Sequence, residues 1–600
     1  MSEGAAGLGL GPSQERVERR RTAQRVFGNM WVQANALLAP RRGSLAVDLV
    51  VVLAGCGLLY GLLQVGREWT GAHRPAIDLD LSPWALPRYT FFSLIRGLAA
   101  YVVSFVFTLV YAFWAAKDRR AEVVLVPLLD ILQSIPVLGF MPGLVLALVA
   151  VFPRTNVGLE LAAVMMIFTA QAWNMTFSLY HSLKSVPGEF REVARLYRFR
   201  WWERFTWVEL PFATTGLAWN SMMSMAGGWF FLMINESFVL GGHDFRLPGL
   251  GSYMSRAVER GDRAAMVWAV VAMILMIVLL DQVLWRPVVV WAQRFRVEDT
   301  AGGERLDSWF LRLLRRSRAA RRFDAWRLRR RRRNLRAAAL EPSPAGPGRS
   351  PRLWSLATVA LVVLLLVMVL GSARLFQLLS QLPASSWIAL MGAGLVTFGR
   401  VMLSTLLGTL WAVPVGLMIG LSPRLSRLLQ PIVQVAASFP APMLFPLVIA
   451  LLQLLGVGLD VGSILLMLLG TQWYILFNVV AGASSVPSDL REAAKSFGLT
   501  RAQRLWGLYL PATFPYLVTG WVTAAGGAWN ASIVSEYVSY KAMTLTTFGL
   551  GATVSLAAEH ADFHTLAAAV LLMSTLVVTF NRLAWKPLFH LASTRYSLAK

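Results

Sequence analysis

Two glutamates lie inside long apolar segments of this 600-residue chain, where a charged side chain is costly and usually functional. Glu236, in "INESF", and Glu536, in "VSEYV", are 300 positions apart, and each follows a Leu-Pro pair by 25 residues. That length of helix places both carboxylates near the outer side of a bilayer. Two roles fit this position: a gate or pathway residue, or a carboxylate in the external headgroup zone.

Further polar residues extend the predicted pathway to two segments in each half of the chain. Asp130 and Gln434 each precede a Ser-x-Pro sequence by one helical turn. Proline interrupts helical hydrogen bonding, and irregular backbone at membrane depth is tolerated only beside protein or a water-filled cavity. We therefore expect the third and fifth spans to line the pathway. The candidate residues are Asp130, Ser134, Asn220, Asn235, Glu236, Gln434, Ser438, Asn530 and Glu536.

Other chemistries find little support in the sequence. His560 and His564, in "HADFH", have helical spacing for a metal, but Arg260 and Ala264 stand at the equivalent places of the first half. Such histidines are typical of a membrane interface, so we predict no metal site. The chain has no G-x-x-x-x-G-K-[ST] loop, no G-x-S-x-G elbow and no catalytic carboxylate pair. We predict no cofactor and no enzymatic activity.

Composition indicates a membrane protein. Hydrophobic residues make up 56% of the chain and charged residues 15%, against about 25% in a soluble domain. The net charge of +25 would suggest nucleic acid in a soluble protein. Here the arginines concentrate in loops between apolar segments, as the positive-inside rule predicts for cytoplasmic loops. We expect contact with membrane lipid and no nucleic acid.

The basic loops predict an all-α, polytopic fold with two six-span halves. In the first half the spans are expected near 45–66, 91–115, 122–151, 158–180, 212–238 and 264–290. The predicted divisions are a basic cytoplasmic tail (1–45), a first transmembrane domain (46–290), an arginine-rich cytoplasmic linker (291–352) and a second transmembrane domain (353–600). The linker carries 18 arginines and no lysine, which is typical of a solvated segment or of an arginine-rich helix on anionic headgroups.

The second half repeats the first. "SVPGEFREVAR" from Ser185 and "SVPSDLREAAK" from Ser485 lie 300 residues apart, and so do "LPGLGS" and "TFGLGA". Arg96 and Arg400 precede "SIP" and "SFP" by the same distance. A pathway role and snorkelling from the span end both fit these two arginines. An even number of spans per half makes the repeat parallel, with a pseudo-two-fold axis along the membrane normal.

The repeated loop predicts a cytoplasmic elbow. In "SDLREAAKSFGLT", an acidic first turn favours a helix start, Ala493 and Ala494 allow another surface to approach closely, and Gly498 favours a left-handed helix end. Pro511 is expected to open the next span, where its missing N–H costs nothing. Two copies at equivalent places predict a cytoplasmic partner with two-fold symmetry.

At these residues the chain resembles the permeases of binding-protein-dependent ABC importers. Glu492-Ala493-Ala494, Gly498 and Leu510-Pro511 look like their EAA motif, and "GGAWNASIVSEY" is similar to the nitrate, sulfonate, taurine and bicarbonate branch. The first copy departs from the motif at Val193 and Arg198. The resemblance implies ATPase-coupling positions in both elbows: Glu192, Ala194, Arg198, Pro211, Glu492, Ala493, Ala494, Gly498 and Pro511.

The resemblance further implies two tandem type I importer domains in a bacterial inner membrane. The expected function is alternating-access import of a small, anionic solute, driven by two ATP-binding cassette subunits and supplied by an external substrate-binding protein. Two alternatives stay open: a permease for iron or thiamine, or a secondary transporter that needs no ATPase. The elbow favours the importer, because it has no role without a docking partner.

Overall fold

The computed structural model describes residues 45–71, 79–196, 199, 201–240, 243–295, 308–317, 322, 326, 351–540 and 543–596. The predicted N-terminal tail, most of the arginine-rich linker and Arg198 lie outside these residues. Helices dominate the described chain, in agreement with the predicted all-α class.

The first half contains eleven α-helices and one β-hairpin within the described residues. They are α1 (Leu45–Thr70), α2 (Leu86–Lys117), α3 (Arg119–Ser134), α4 (Met141–Val151), α5 (Val157–Lys184), α6 (Gly188–Leu196), α7 (Trp201–Arg204), α8 (Leu210–Asn235), β1 (Ser237–Leu240), β2 (His243–Arg246), α9 (Leu250–Arg260), α10 (Arg263–Leu280) and α11 (Arg286–Ala292). A short helix of the linker, α12 (Trp309–Arg316), follows.

The second half repeats this order element by element. Its members are α13 (Pro351–Leu379), α14 (Ala384–Leu421), α15 (Pro423–Ser438), α16 (Phe445–Leu454), α17 (Leu459–Ser484), α18 (Ser488–Ser496), α19 (Arg501–Arg504), α20 (Leu510–Ser535), β3 (Tyr537–Tyr540), β4 (Met543–Thr546), α21 (Leu550–Glu559), α22 (Phe563–Phe580) and α23 (Lys586–Arg595).

Within the described residues, seven helices are long and apolar enough to cross a membrane, or nine if each of two bent pairs forms one span. The fifth helices, α8 and α20, are outside this group although their 26 residues reach about 39 Å. Serine, asparagine and glycine lower their hydropathy. Such residues are more typical of helices that face other helices or a cavity than of helices that face lipid.

The third span of each half is interrupted at its Ser-x-Pro sequence, as the sequence predicts. In the first half two helices meet at 90° around Ser134–Val137, and in the second half the equivalent pair meets at 84°. The residue before each proline, Ile135 and Phe439, has extended backbone angles (ψ 126° and 129°). Proline disfavours helical angles in the residue before it, and this breaks the helix.

Pro211 and Pro511 are the second residues of α8 and α20, at the start of the fifth helices as the sequence predicts. Each follows a π-helical turn, Phe205–Glu209 or Leu505–Tyr509, which continues directly into the fifth helix. The wider π turn accommodates a proline that cannot donate to the preceding turn. The last part of each elbow and the fifth helix are therefore one continuous rod.

The two halves share one apolar core, and the third segment of each half packs against the other half. The largest cluster of buried apolar side chains contains Met225 and Trp229 of the first half together with Ala441 and Trp529 of the second. The backbone N–H of Val137 donates to Oδ1 of Asn530 at 2.8 Å, which joins the break after α3 to α20. The interface between the halves is thus built largely from the bent pairs and the fifth helices.

A small antiparallel hairpin follows each fifth helix, so the fold is not purely helical. Ser237 pairs with Arg246 in the first hairpin and Tyr537 with Thr546 in the second. After each hairpin, the Gly-Leu-Gly sequence starts a short helix, α9 or α21. We call the end of the bundle with the hairpins the hairpin side, and the end with α6 and α18 the elbow side.

Candidate functional site

A cavity of about 190 Å³ lies between the two halves. Segments from both halves form its wall: the third helices with the breaks that follow them, the fourth helices α5 and α17, and the fifth helices α8 and α20. Because the cavity lies on the shared interface, relative movement of the halves changes its shape. This is the geometry expected of a pathway at a repeat interface.

The wall combines aromatic rings with uncharged polar groups. Aromatic members are Trp173, Phe230, Phe231, Phe439, Trp473, Tyr474 and Phe477; polar members are Gln133, Thr169, Asn174, Ser224, Gln434, Ser438, Thr471, Thr523 and Asn530. Among the described residues that line the cavity, none carries a formal charge. A charged solute would therefore be held by amide, hydroxyl and indole groups and not by ion pairs.

Three predicted pathway residues line this cavity: Gln434, Ser438 and Asn530. Ser438 donates to the backbone carbonyl of Gln434 at 2.8 Å, and Asn530 Nδ2 donates to Gly526 O at 3.3 Å. Asn530 thus uses both ends of its amide to hold the cavity wall, because its oxygen accepts from Val137.

The other predicted pathway residues lie elsewhere. Asp130 is exposed on α3, and Ser134 is the last residue of that helix. Asn220 donates to Ser178 Oγ at 3.1 Å, which ties α8 to α5. Asn235 is buried at the end of α8, and neither atom of its amide has a hydrogen-bond partner within the described residues.

Glu236 belongs to a buried ion cluster on the hairpin side of the first half. Arg96, 1% exposed, donates from Nε and Nη2 to both oxygens of Glu160, at 2.7 and 2.8 Å, and from Nη1 to Glu236. Glu236 also accepts from Ser93 Oγ at 2.6 Å and from the backbone N–H of Gly251 at 2.7 Å. The cluster therefore ties α2, α5, α8 and the start of α9 together.

An equivalent cluster surrounds Glu536 in the second half, with a more exposed rim. Arg400 Nη1 lies 3.0 Å from Glu536, while Nη2 lies 3.3 Å from Asp460, whose side chain is 79% exposed. Thr397 Oγ1 donates to Glu536 at 2.9 Å, and the N–H of Gly551 donates at 2.8 Å. Neither glutamate lines the cavity and neither is exposed. A role in the pathway stays a prediction for both, and their contacts favour holding the hairpin side together.

These clusters explain the repeated Gly-Leu-Gly sequence. A Cβ on Gly249 would overlap the carboxylate of Glu236, and one on Gly549 would overlap that of Glu536. A Cβ on Gly251 or Gly551 would collide with the backbone of the fifth helix. The glycines therefore allow the N-terminus of the following helix to approach the buried carboxylate, where its N–H groups and dipole favour negative charge.

The second elbow forms as the sequence predicts. Helix α18 spans Ser488–Ser496, and Gly498 takes a left-handed conformation with φ 68°. Its N–H donates to Lys495 O at 2.9 Å, and that of Leu499 donates to Ala494 O at 3.1 Å. Thr500 then caps α19 together with Gln503. The equivalent turn of the first elbow includes Arg198, which lies outside the described residues.

The alanines of the two elbows do not form an open docking face. Ala494 is 6% exposed and Ala194 only 2%, and Ala194 packs with Val186 and Val208 of its own half. These small residues let the elbow helices pack closely within this chain, and the approach of another protein through Ala494 stays a prediction. Glu192 and Glu492 are exposed, whereas Ala493, Pro211 and Pro511 are half-buried.

Large apolar side chains next to the elbow helices are exposed instead. Phe497 is 83% exposed and Trp506 is 72% exposed in the second half, and Leu196, Trp201 and Trp202 are exposed in the first. These side chains occupy different positions in the two halves, but in both halves they flank the elbow helix, and exposed apolar groups of this kind are typical of an interaction surface. They provide the best candidates for contact with a partner on the elbow side.

The two elbows are attached differently to the bundle. Glu209, in the π turn of the first half, accepts from Lys117 Nζ at 2.5 Å and from Arg204 Nε at 2.7 Å. Tyr509 and Leu421 stand at the equivalent places of Glu209 and Lys117. The first elbow therefore has an ionic connection to the end of α2 that the second elbow replaces by uncharged residues.

Sequence reasoning missed the fourth helices as part of the cavity wall. Thr169, Trp173 and Asn174 of α5 face Thr471, Trp473 and Tyr474 of α17 across it. A signal was present, since "TAQAWN" and "GTQWY" interrupt otherwise apolar spans with amide, hydroxyl and indole groups at equivalent depth. Polar groups at such a depth usually face protein or water.

Comparison with known proteins agrees with this architecture. The family model of the binding-protein-dependent transport system inner membrane component matches the chain twice, over residues 98–294 and 412–584. The two matches correspond to the two structural halves and together cover more than half of the chain.

Individual relatives match shorter regions. The taurine transport system permease protein of Escherichia coli is 32% identical over 160 residues, covering 27% of this chain and 54% of the relative. A nitrate import permease protein of Synechococcus elongatus is 27% identical over 142 residues, covering 24% and 50%. The glycine betaine/proline betaine permease protein of Escherichia coli is 26% identical over 151 residues, covering 25% and 40%.

The chain spans about half the length of these curated relatives, whereas the family model recognises both halves. Each matched region contains one elbow and one fifth helix, and the cavity lies between the two regions. The chain therefore belongs to the family of inner membrane components of binding-protein-dependent transport systems, and it carries that family's domain in two copies.

Proposed function

We propose that this chain provides both transmembrane domains of an ABC importer, with residues 46–290 and 353–600 as the two domains and residues 291–352 as the linker. Two ATP-binding cassette subunits would dock at the elbow side, which is then cytoplasmic. An external substrate-binding protein would deliver the solute to the hairpin side. The observation that carries the proposal is the cavity at the interface of two halves that each present an elbow.

The elbows provide a route by which ATP can move the cavity wall. Each elbow continues through a π turn into the fifth helix, which lines the cavity with Ala226–Gly227 in one half and Gly526–Gly527 in the other. Closure of an ATPase dimer would push the elbows together and tilt both rods. The cavity would then open alternately to the two sides, without bond chemistry in this chain.

We further propose a small anionic solute as the substrate. The nitrate relative and the sulfonate group of taurine favour this class, and the cavity offers amide, hydroxyl and indole donors to an anionic group. The aromatic rings of Trp173, Trp473 and Tyr474 favour a second candidate, a zwitterion with a quaternary ammonium group, because aromatic faces attract such cations. The betaine relative is consistent with this second candidate.

Uptake of labelled taurine, nitrate, bicarbonate and glycine betaine, measured in cells with and without the partner ATPase gene, tests the function. We expect nitrate, bicarbonate or the sulfonate taurine to accumulate only when the ATPase is present. Uptake that persists without the ATPase would move the protein to the secondary transporters. ATPase-dependent uptake of iron or thiamine would keep the importer and change the substrate.

Topology gives an independent test. In a background with Cys56→Ser, a cysteine at Ser488 should react with an impermeant reagent only from the cytoplasm. A cysteine at Trp84, which is 92% exposed beside the hairpin side, should react only from outside. Labelling of Ser488→Cys in intact cells from outside contradicts the proposed orientation.

A further inference from the structure

The sixth span of the first half carries one carboxylate near its middle, and the proposed transport mechanism gives it no role. Asp281 begins the π turn that follows α10, inside the 33-residue span Arg263–Phe295. Its side chain is 17% exposed. A carboxylate at such a depth is costly and usually marks the path of a solute or an ion.

The neighbours of Asp281 occupy only one of its two oxygens. Gln282 Nε2 donates to Asp281 Oδ2 at 3.1 Å, and Arg286 Nε lies 3.9 Å from the same oxygen. The amide of Gln282 is held in this orientation because its own oxygen accepts from Trp309 Nε1 at 2.9 Å. Within the described part of the chain, Oδ1 of Asp281 accepts no hydrogen bond. The carboxylate can therefore receive a further donor.

Asp281 lines a small cavity of about 10 Å³ between the two halves. This volume has room for one water-sized group. The wall of the small cavity also contains two indole rings and two polar side chains: Trp229, Trp285, Gln434 and Ser438. Three of its residues, Ala226, Gln434 and Ser438, line the 190 Å³ cavity as well. The small cavity therefore adjoins the larger one, with the carboxylate at its far wall.

The wall of the small cavity suits a positively charged group. A carboxylate attracts a cation, and so do the faces of indole rings such as those of Trp229 and Trp285. The side-chain amide of Gln434 has no hydrogen-bond partner among the described residues, so its oxygen can accept an N–H. Ser438 Oγ donates to the backbone carbonyl of Gln434 at 2.8 Å and keeps its lone pairs for a donor. A primary ammonium group has the size and the N–H donors that these acceptors need.

The second half has no carboxylate at the equivalent place of its sixth span. Asn581 stands at the position of Asp281 and begins the π turn Asn581–Trp585. Asp130, at the position of Gln434, is exposed on α3 and lines neither cavity. The negative charge beside the cavities therefore belongs to one half, and Asn581 shows that the π turn also forms with an amide at this position.

We propose that the small cavity is a subsite for the primary ammonium group of a zwitterionic solute, with Asp281 as the counter-ion and the anionic group of the solute in the larger cavity. The proposal rests on the proposed function and narrows it. A carboxylate beside the cavity repels a simple anion and favours a solute that carries both charges. A quaternary ammonium group fits less well, because three methyl groups exceed the space of one water and leave no N–H to donate.

Binding of three related sulfonates to the full-length chain in nanodiscs tests the proposal without ATPase or binding protein. The probes are 2-aminoethanesulfonate, 2-hydroxyethanesulfonate and the N,N,N-trimethyl derivative of the amino compound, and titrations followed by ligand-observed NMR give their dissociation constants. We expect the amino compound to bind about tenfold more tightly than the hydroxyl compound, because a hydrogen bond between charged groups contributes about that factor. The trimethyl compound should bind no more tightly than the hydroxyl compound.

Substitution of the carboxylate assigns the preference to Asp281. Asp281→Asn removes the charge and keeps the shape, so it should reduce the preference for the amino compound to about twofold or less. The affinity for the hydroxyl compound should stay the same. Asp262→Asn is the matched control on the same helix: Asp262 caps α10 by accepting from the N–H of Ala265 at 3.0 Å, and asparagine caps equally well. The control should keep the full preference, and size-exclusion chromatography checks that both variants fold.

Several results would overturn the proposal. An unchanged preference in Asp281→Asn would mean that the carboxylate does not contact the ammonium group. Equal binding of the amino and hydroxyl compounds by the wild type, or binding of neither, would mean that the small cavity is no ammonium subsite. Tightest binding of the trimethyl compound would indicate an aromatic site for quaternary ammonium instead. Loss of ATP-driven uptake with an intact binding preference would contradict the proposed function and leave the subsite standing.

Discussion

Arg96 and Glu236 are 140 positions apart in the chain and form a buried ion pair on the hairpin side. Arg96 also pairs with Glu160, so one guanidinium neutralises two buried carboxylates. We expect Arg96→Ala to destabilise the protein by about 3–5 kcal/mol, because removing one member leaves charge buried without compensation. Thermal unfolding of the detergent-solubilised protein, followed by size-exclusion chromatography, measures the loss.

The second half supplies the matched comparison. Arg400 pairs with one buried carboxylate, Glu536, and one exposed carboxylate, Asp460. Arg400→Ala should therefore cost less stability than Arg96→Ala. Equal losses would show that the number of buried carboxylates does not decide the effect.

Gly526 tests the cavity itself. It lines the cavity, and a Cβ built there meets open space. Gly526→Leu should insert and assemble normally but reduce the maximal rate of uptake, because the added side chain occupies the volume that the solute needs. Gly399→Leu is the control: its Cβ also meets open space, but on an exposed face outside the cavity wall. Unchanged uptake in Gly526→Leu would place the pathway elsewhere.

The exposed side chain of Phe497 tests the docking surface. Phe497→Ala removes a large apolar group that the bundle does not cover, so the protein should remain as stable as the wild type. We expect loss of ATPase co-purification, since a buried aromatic anchor contributes about 2 kcal/mol or more to an interface. Leu454→Ala, at an equally exposed residue of α16, should keep the ATPase.

Ala494→Trp should act by a different route from Phe497→Ala. Because Ala494 is buried against its own domain, tryptophan there should cost about 1–3 kcal/mol of stability through overpacking. A lower thermal midpoint with retained ATPase binding in the surviving protein would support this interpretation. Normal stability with lost ATPase binding would return Ala494 to the docking face.

The ionic attachment of the first elbow predicts a difference in mobility between the elbows. Glu209→Gln should weaken the link to Lys117 and Arg204 and speed hydrogen exchange of the backbone around the π turn Phe205–Glu209. Tyr509→Phe, at the equivalent place, should leave exchange in the second elbow unchanged. Equal exchange in wild type and Glu209→Gln would show that the ion pairs do not hold the elbow.

The elbows and the duplication could be predicted because their signals are local or exactly periodic in the sequence. Helix α18 and the left-handed Gly498 follow from residues that are neighbours in the chain. The pairing of Arg96 with Glu236 could not be predicted, since it depends on how two distant helices are rotated. The sequence therefore placed both glutamates at the outer side but left their partners unassigned.

The inward face of Ala494 and the wall formed by α5 and α17 could not be predicted for a related reason. A small residue permits close approach on whichever side a neighbour lies, and periodicity alone does not identify that neighbour. Trp173 and Trp473 are compatible with a lipid-facing, an interfacial or a cavity position in an apolar segment. Only the packing of the halves selects the cavity.

Joining the halves in one chain allows the cavity to have two unlike walls. Asn174 faces the cavity from one half where Tyr474 does so from the other, and Phe230 stands at the place of Asn530. A homodimer must present every group twice, so any bound solute meets the same surroundings from both directions. Here the cavity can bind an unsymmetrical solute in a single orientation, with its polar end toward one half.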